Sequence, residues 1–121
     1  LYERRSQVEK YVAKQGLNLA GFSGREKENF QNLSYGEQRA ILILRAAVKC
    51  PPLLILDEPC HGLDEENRRM VLDLLEIIAS TGTTTLLHVT HESDEVLSCE
   101  KNIIQLLPGQ KPMYKLINLC S

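Results

Sequence analysis

The sequence predicts an α/β fold with a mainly parallel sheet, on three observations. The run Leu53-Leu54-Ile55-Leu56 is short, apolar on both faces and fenced by Pro51-Pro52 and Pro59, as a buried parallel strand would be. Strand-like runs alternate with stretches of helical period along the chain. The residues best suited to chemistry, Asp57, Glu58 and His91, fall at the carboxyl ends of two such runs, where open α/β sheets place their ligands.

The totals agree with one soluble domain. The chain has 121 residues, 43% hydrophobic and 25% charged, enough for a single core and unlike a disordered segment. A net charge of -2 provides no basic field, so free nucleic acid is not an expected partner. No apolar stretch approaches the roughly twenty residues that span a bilayer, and Leu1-Tyr2-Glu3-Arg4-Arg5 lacks the apolar core of a signal peptide. A cytoplasmic location is expected. The start inside a helical pattern, without Met, reads as a piece of a longer protein. Cys50, Cys60, Cys99 and Cys120 are scattered, with no C-x-x-C pair, so reduced thiols are expected.

Glu3 to Gln15 carries Val8, Tyr11 and Val12 at helical spacing among charges, with Gly16 as the expected stop. From Leu17 to Asn32 the period fades into loops and short turns. Ser34 caps a predicted helix from Tyr35 to Lys49, which Pro51-Pro52 forbid from continuing. After the strand Leu53 to Leu56, Asp64 caps a helix through Ser80 with Val71, Leu74, Leu75 and Ile78 on one face and Gly82 beyond its end. Thr83 to Thr90 is rich in Thr, Leu and Val, hence a second strand. A short helix near Glu92 to Leu97 and strands near Asn102 to Leu107 and Met113 to Leu119 complete the reading.

Adjacent acids at a strand end point different ways because side chains alternate. One carboxylate can serve a magnesium ion through its water shell while the other addresses a water molecule, the division of labour that phosphoryl transfer needs. Pro59 keeps Glu58 out of the helical region. The blander alternative for Asp57-Glu58 is an acidic pair facing solvent. Ser34-Tyr35-Gly36 stands at a helix start, where unpaired N–H groups favour an anion and Gly36 permits close approach. Ser34 with Glu37 also satisfies a capping box by itself, so both roles are expected at once. His91 can donate to a terminal phosphate; His61 and His88 have no comparable placement. Gly62-Leu63-Asp64 reads as a turn and a cap, and a functional reading is compatible with that structural one. Gly16 to Ser23 copies the spacing of a phosphate-binding G-x-x-x-x-G-K-[ST] loop, but Phe22 replaces its lysine and a charged helix precedes it. The chain therefore carries no nucleotide-cradling loop of its own.

With these motifs on the page, the chain resembles the second half of an ABC-type ATPase nucleotide-binding domain. Leu33-Ser34-Tyr35-Gly36-Glu37-Gln38 resembles the signature motif, with Tyr35 where glycine is commoner. Leu53 to Glu58 resembles the Walker B strand and catalytic glutamate, Gly62-Leu63-Asp64 the D-loop, and Thr90-His91 the H-loop. The wording from Asp57 to Asp64, with Asn67-Arg68 and Thr90-His91-Glu92, is most similar to tandem-ABC proteins of the molybdate-transport ATP-binding and photorepair types.

The resemblance implies a partial P-loop NTPase of three layers, lacking the Walker A strand. Residues 1–33 would end the helical subdomain, and residues 34–121 would supply the signature helix and the Walker B, D-loop and H-loop part of the catalytic core. It implies ATP and Mg²⁺ as cofactors, with Ser34, Gly36, Glu37 and Gln38 binding nucleotide held by the Walker A loop of another domain. Asp57 would support Mg²⁺ through water, Glu58 would direct the attacking water, His91 would contact the γ-phosphate and Asp64 would couple two sites. The implied partners are a second ABC domain, in a homodimer or in tandem, and a membrane permease, with the chain cytoplasmic or peripheral on the inner face of the plasma membrane. The Walker A Lys and Ser/Thr, the Q-loop glutamine and the base-stacking aromatic are missing, so these residues alone are expected to be inactive. The alternatives are a non-catalytic regulatory remnant, or an ABC-type ATPase serving DNA repair or translation. Without the Walker A strand, Thr83 to Thr90 should also have an unpaired edge.

Overall fold

A computed structural model describes residues 2–119, with side chains from residue 6 onward. Three helices are α1 (Tyr2–Leu19), α2 (Tyr35–Ala47) and α3 (Glu65–Ser80). Four strands are β1 (Leu53–Asp57), β2 (Thr85–Val89), β3 (Asn102–Leu106) and β4 (Tyr114–Asn118), with short 3₁₀ turns at Phe30–Asn32 and Ser93–Glu95. β1 and β2 pair in parallel, Leu53 opposite Thr85 and Asp57 opposite Val89, joined by α3 as the crossover.

The core lies where α1, α2 and α3 meet one face of this parallel pair. Val71, Leu72, Leu74, Leu75 and Ile78 of α3 are buried against Val12, Ala40, Ile43, Leu44 and Ala47, and Leu54 and Leu56 complete the cluster from the sheet side. Asp64 Oδ1 accepts from Asn67 N at 2.8 Å, which caps α3 at the expected place. At the other end, Gly82 takes a φ of 71°, the left-handed turn that lets the chain leave the helix.

The α/β class holds, and several details differ from the sequence reading. α1 does not stop at Gly16 but runs to Leu19. A Cβ at Gly16 would lie 2.2 Å from Leu44 Cδ2, so the glycine is there to let α1 approach α2, not to end the helix. With Gly16 helical and Phe22 buried, the Gly16 to Ser23 stretch has no open loop in which to cradle phosphate. α2 ends at Ala47, slightly earlier than expected, and the segment after Thr90 forms only a 3₁₀ turn.

β1 alternates in burial: Leu54 and Leu56 face the helices, whereas Leu53 and Ile55 are exposed, as are Leu87 and Val89 beside them. Among the described residues the fold is thus two layers, helices on one face and the other face open. β2 has β1 as its sole neighbour, so its second edge is unpaired among these residues. β3 and β4 form a separate antiparallel pair, Ile104 opposite Leu116. The few residues between them, turning through Gly109, are too short for the crossover that a parallel arrangement requires.

Candidate functional site

The parallel pair delivers its polar residues to one end. Glu58 N donates to Val89 O at 2.8 Å, which extends the β1–β2 ladder by one step and sets Glu58 beside the segment Thr90-His91. Glu58 then departs from extended geometry: its φ is 49°, a left-handed value that costs a side chain with a Cβ. This is a stronger displacement than the exclusion from the helical region that Pro59 alone requires. His91 Nε2 contacts Glu58 Oε1; the histidine side chain is 79% exposed and the glutamate 27%, so the pair sits at a solvent-facing mouth.

Two adjoining cavities share Glu58 and His61. One, of about 410 Å³, is lined by Asp57 and Glu58 together with Arg39, Ile43 and Ile55. The other, of about 330 Å³, is lined by Glu58, Thr90 and His91 together with Gly62, Arg68 and Glu95. Asp57, Glu58 and His91 are therefore brought to one region, with Glu58 the one of these three that lines both cavities. His61, for which the sequence suggested no placement, lines both. His88 is instead buried on β2, its Nδ1 2.7 Å from Glu100 Oε1 and its Nε2 without a hydrogen-bond partner.

The signature-like residues stand elsewhere. Ser34 and Glu37 make the full capping box, Ser34 N donating to Glu37 Oε1 at 3.0 Å and Glu37 N to Ser34 Oγ at 3.2 Å. Arg25 Nη1 binds Glu37 Oε2 at 2.6 Å, and this guanidinium, followed by the Ser34 amide, holds the carboxyl below its ordinary value. Gln38 Nε2 donates to Phe30 O at 3.1 Å. A Cβ on Gly36 would lie 2.3 Å from Asn67 Oδ1, so the glycine lets the start of α2 pass close to the Asn67 side chain of α3. The start of α2 is tied to the preceding loop, and Ser34, Gly36, Glu37 and Gln38 line neither cavity. Asp64 is an exposed helix cap.

Two arginines that sequence reasoning did not single out as site residues organise the surroundings. Arg39 Nη1 donates to Pro59 O, and its Nη2 donates to Tyr35 Oη at 2.6 Å and to His61 O at 3.2 Å. Arg68, 13% exposed, binds Glu95, 8% exposed, through Nε at 2.9 Å and also reaches Asp94 and Glu65. Thr90 Oγ1 donates to the second oxygen of Glu95 at 2.9 Å and accepts from Glu92 N at 3.0 Å, so α3 anchors both sides of His91.

The donor set fits a water-coordinated divalent cation better than a caged one. Among the described residues no three His, Cys, Asp or Glu side chains converge closely enough to hold a metal. Asp57, exposed at the strand end, is the kind of single carboxylate that Mg²⁺ uses when waters and substrate phosphates fill the remaining positions. Cys50, Cys60 and Cys99 are free thiols, and Cys120 lies outside the described residues. Burial, then the nearby Glu95 charge, pushes the Cys60 thiol up to about 11.

Fold and site together define a segment of an α/β domain whose acids and histidine gather at the carboxyl ends of parallel strands. The family model described as ABC transporter matches residues 2–61. The chain belongs to the ABC-type ATPase family. It is 37% identical over 109 residues to the ABC transporter ATP-binding protein ModF of Escherichia coli (strain K12), covering 89% of this chain and 22% of that protein. It is 39% identical over 99 residues to the cell division ATP-binding protein FtsE of Mycobacterium tuberculosis (strain ATCC 25618 / H37Rv), covering 82% and 43%. The Fe(3+) ions import ATP-binding protein FbpC of Agrobacterium fabrum (strain C58 / ATCC 33970) is 37% identical over 99 residues, covering 81% and 28%. The chain spans less than half the length of each of these relatives.

Proposed function

We propose that this chain is part of an ATP-hydrolysing ABC-type domain that powers transport, of molybdate or a similar substrate. The observation that carries the reading is the meeting of Glu58 and His91 at the mouth where Asp57 also emerges. Glu58 directs or deprotonates the attacking water, and His91 contacts the γ-phosphate. Asp57 supports Mg²⁺ through its water shell; the ion, when bound, neutralises charge on the phosphates. An acid-rich mouth would otherwise repel a polyphosphate, so the cation and a cradle supplied by other residues both belong to this reading.

Ser34, Gly36, Glu37 and Gln38 serve a second ABC domain, closing over nucleotide held by that domain's Walker A loop. None of the four lines the cavities that Asp57 and Glu58 line, which agrees with a site completed between domains. Asp64 couples the two sites. The partner domain is a second copy or a tandem repeat, a membrane permease receives the motion, and nucleic acid is not a partner. The protein works in the cytoplasm or on the inner face of the membrane; no helix among the described residues is long and apolar enough to cross it. The names of the import ATP-binding relatives favour transport, and that of the cell-division relative favours a second reading, the same engine driving a non-transport process.

In the full-length protein, Glu58→Gln should abolish ATP turnover while preserving ATP-dependent association of the domains. Turnover that persists in Glu58→Gln would remove the water-directing role and the proposal with it.

A further inference from the structure

We propose that Arg39 is a positioning residue for Glu58, acting through the turn Pro59–His61; this rests on Glu58 as the water-directing carboxylate. The backbone at Glu58 is the strained point of the site, with φ at 49°. Such a conformation persists only where neighbours over-determine it. On the amino-terminal side the restraint is the ladder bond from Glu58 N to Val89 O. On the carboxyl-terminal side His61 N returns to Glu58 O at 3.1 Å, and Arg39 holds the turn from outside, gripping the carbonyls of Pro59 and His61 with separate nitrogens.

Tyr35 fixes the arginine in turn. Its hydroxyl accepts from Arg39 Nη2, and its ring lies 5.2 Å from the guanidinium carbon. The same ring stands over Gly62, where a Cβ would be 3.5 Å from Cε1. The start of α2 and the turn after Glu58 are thus one braced unit. The planar fork of arginine reaches two carbonyls and a phenol together, whereas a lysine offers one point charge at the end of a flexible stem. Without the brace, the turn is free to relax Glu58 toward an ordinary φ, and its carboxylate leaves the place beside His91.

The test uses the full-length protein, with Arg39→Ala, Arg39→Lys and Glu58→Gln compared for kcat, KM for ATP and thermal unfolding. Arg39→Ala and Arg39→Lys should each lower kcat about tenfold or more, the scale of a displaced catalytic group, with KM for ATP changed less than about twofold. Added guanidinium at millimolar concentration should restore part of the kcat of Arg39→Ala and none of that of Glu58→Gln. If Arg39→Ala does not fold, Arg39→Lys decides by its kcat and KM. A kcat within about twofold of the parent in Arg39→Lys, or a loss in Arg39→Ala that tracks the unfolded fraction and resists guanidinium, overturns the inference while leaving the ATPase reading standing. Persistent turnover in Glu58→Gln sinks both.

Discussion

Gly16 offers a test in which the sign of a mutational effect depends on one neighbour. An alanine in a helix interior is worth about 1 kcal/mol more than a glycine. If Gly16 were merely a helix stop, Gly16→Ala would follow that rule or do little. In the structure the new methyl carbon would lie 2.2 Å from Leu44 Cδ2, 3.1 Å from Cδ1 and 3.2 Å from Cγ. Carbon pairs rest near 3.5–4.0 Å, so the overlap exceeds an ångström at one methyl and persists at two further atoms. Exchanging the two methyls of Leu44 does not clear it, and Leu44 is 5% exposed, with no solvent to turn into. Overpacking of this kind costs about 1–3 kcal/mol. Against the propensity gain, Gly16→Ala should therefore destabilise by about 0–2 kcal/mol. Leu44→Ala alone should cost about 2–5 kcal/mol. In that background the colliding atoms are gone and the new methyl enters the space they leave, so Gly16→Ala should now stabilise by about 1 kcal/mol. Urea unfolding of the four variants, with midpoints compared at a common slope, gives the coupling between the two positions, expected at about 1–3 kcal/mol. A Gly16→Ala that stabilises equally in both backgrounds would show that α1 and α2 do not meet at this point.

Two further expectations concern ionisable groups. Arg25 and the Ser34 amide depress the folded-state pKa of Glu37 below the ordinary carboxylate value of 4.5. The stability this provides is present above that value and is lost as pH falls through the lower, folded one. Glu37→Gln keeps a capping-box side chain yet removes the charge, so its acid unfolding limb should be flatter than the parent's; superimposable limbs would refute the pairing with Arg25. Burial raises the Cys60 and Cys99 thiols to about 11 each, with Glu95 and Glu76 adding to the respective shifts. At pH 8 their thiolate fractions are on the order of a thousandth. Iodoacetamide labelling followed by mass spectrometry should therefore be slow at both in the folded protein and fast after unfolding, and rapid native labelling would contradict the burial described.

What the sequence revealed and what it concealed divide along the range of the interactions. Asp64 and the apolar spacing of Val71, Leu74, Leu75 and Ile78 are local signals, and α3 begins and ends where they place it. The Ser34–Glu37 capping box is equally local and is present in full. The meeting of Glu58 with His91 was reachable because two parallel strands with the same direction must end on the same side. Gly16 misled because a close helix crossing and a helix stop use the same residue, and only the position of Leu44 separates them. The open face of β1 was hidden for a related reason: a run of leucines specifies burial on both sides, whereas the described residues cover just one. Arg39 and Arg68 were illegible as site residues because their partners are backbone carbonyls and carboxylates far along the chain.

On the proposed water-directing role of Glu58, the left-handed turn there sets chemistry and folding against each other at a single position. The backbone there would be best satisfied by glycine, with asparagine next, neither of which carries a carboxylate. Selection for robustness alone would drift away from glutamate, and a library screened only for heat resistance should be enriched in inactive sequences at this codon. On that proposal, the carboxylate at this φ does its work at a standing loss in folding free energy on the order of 1 kcal/mol.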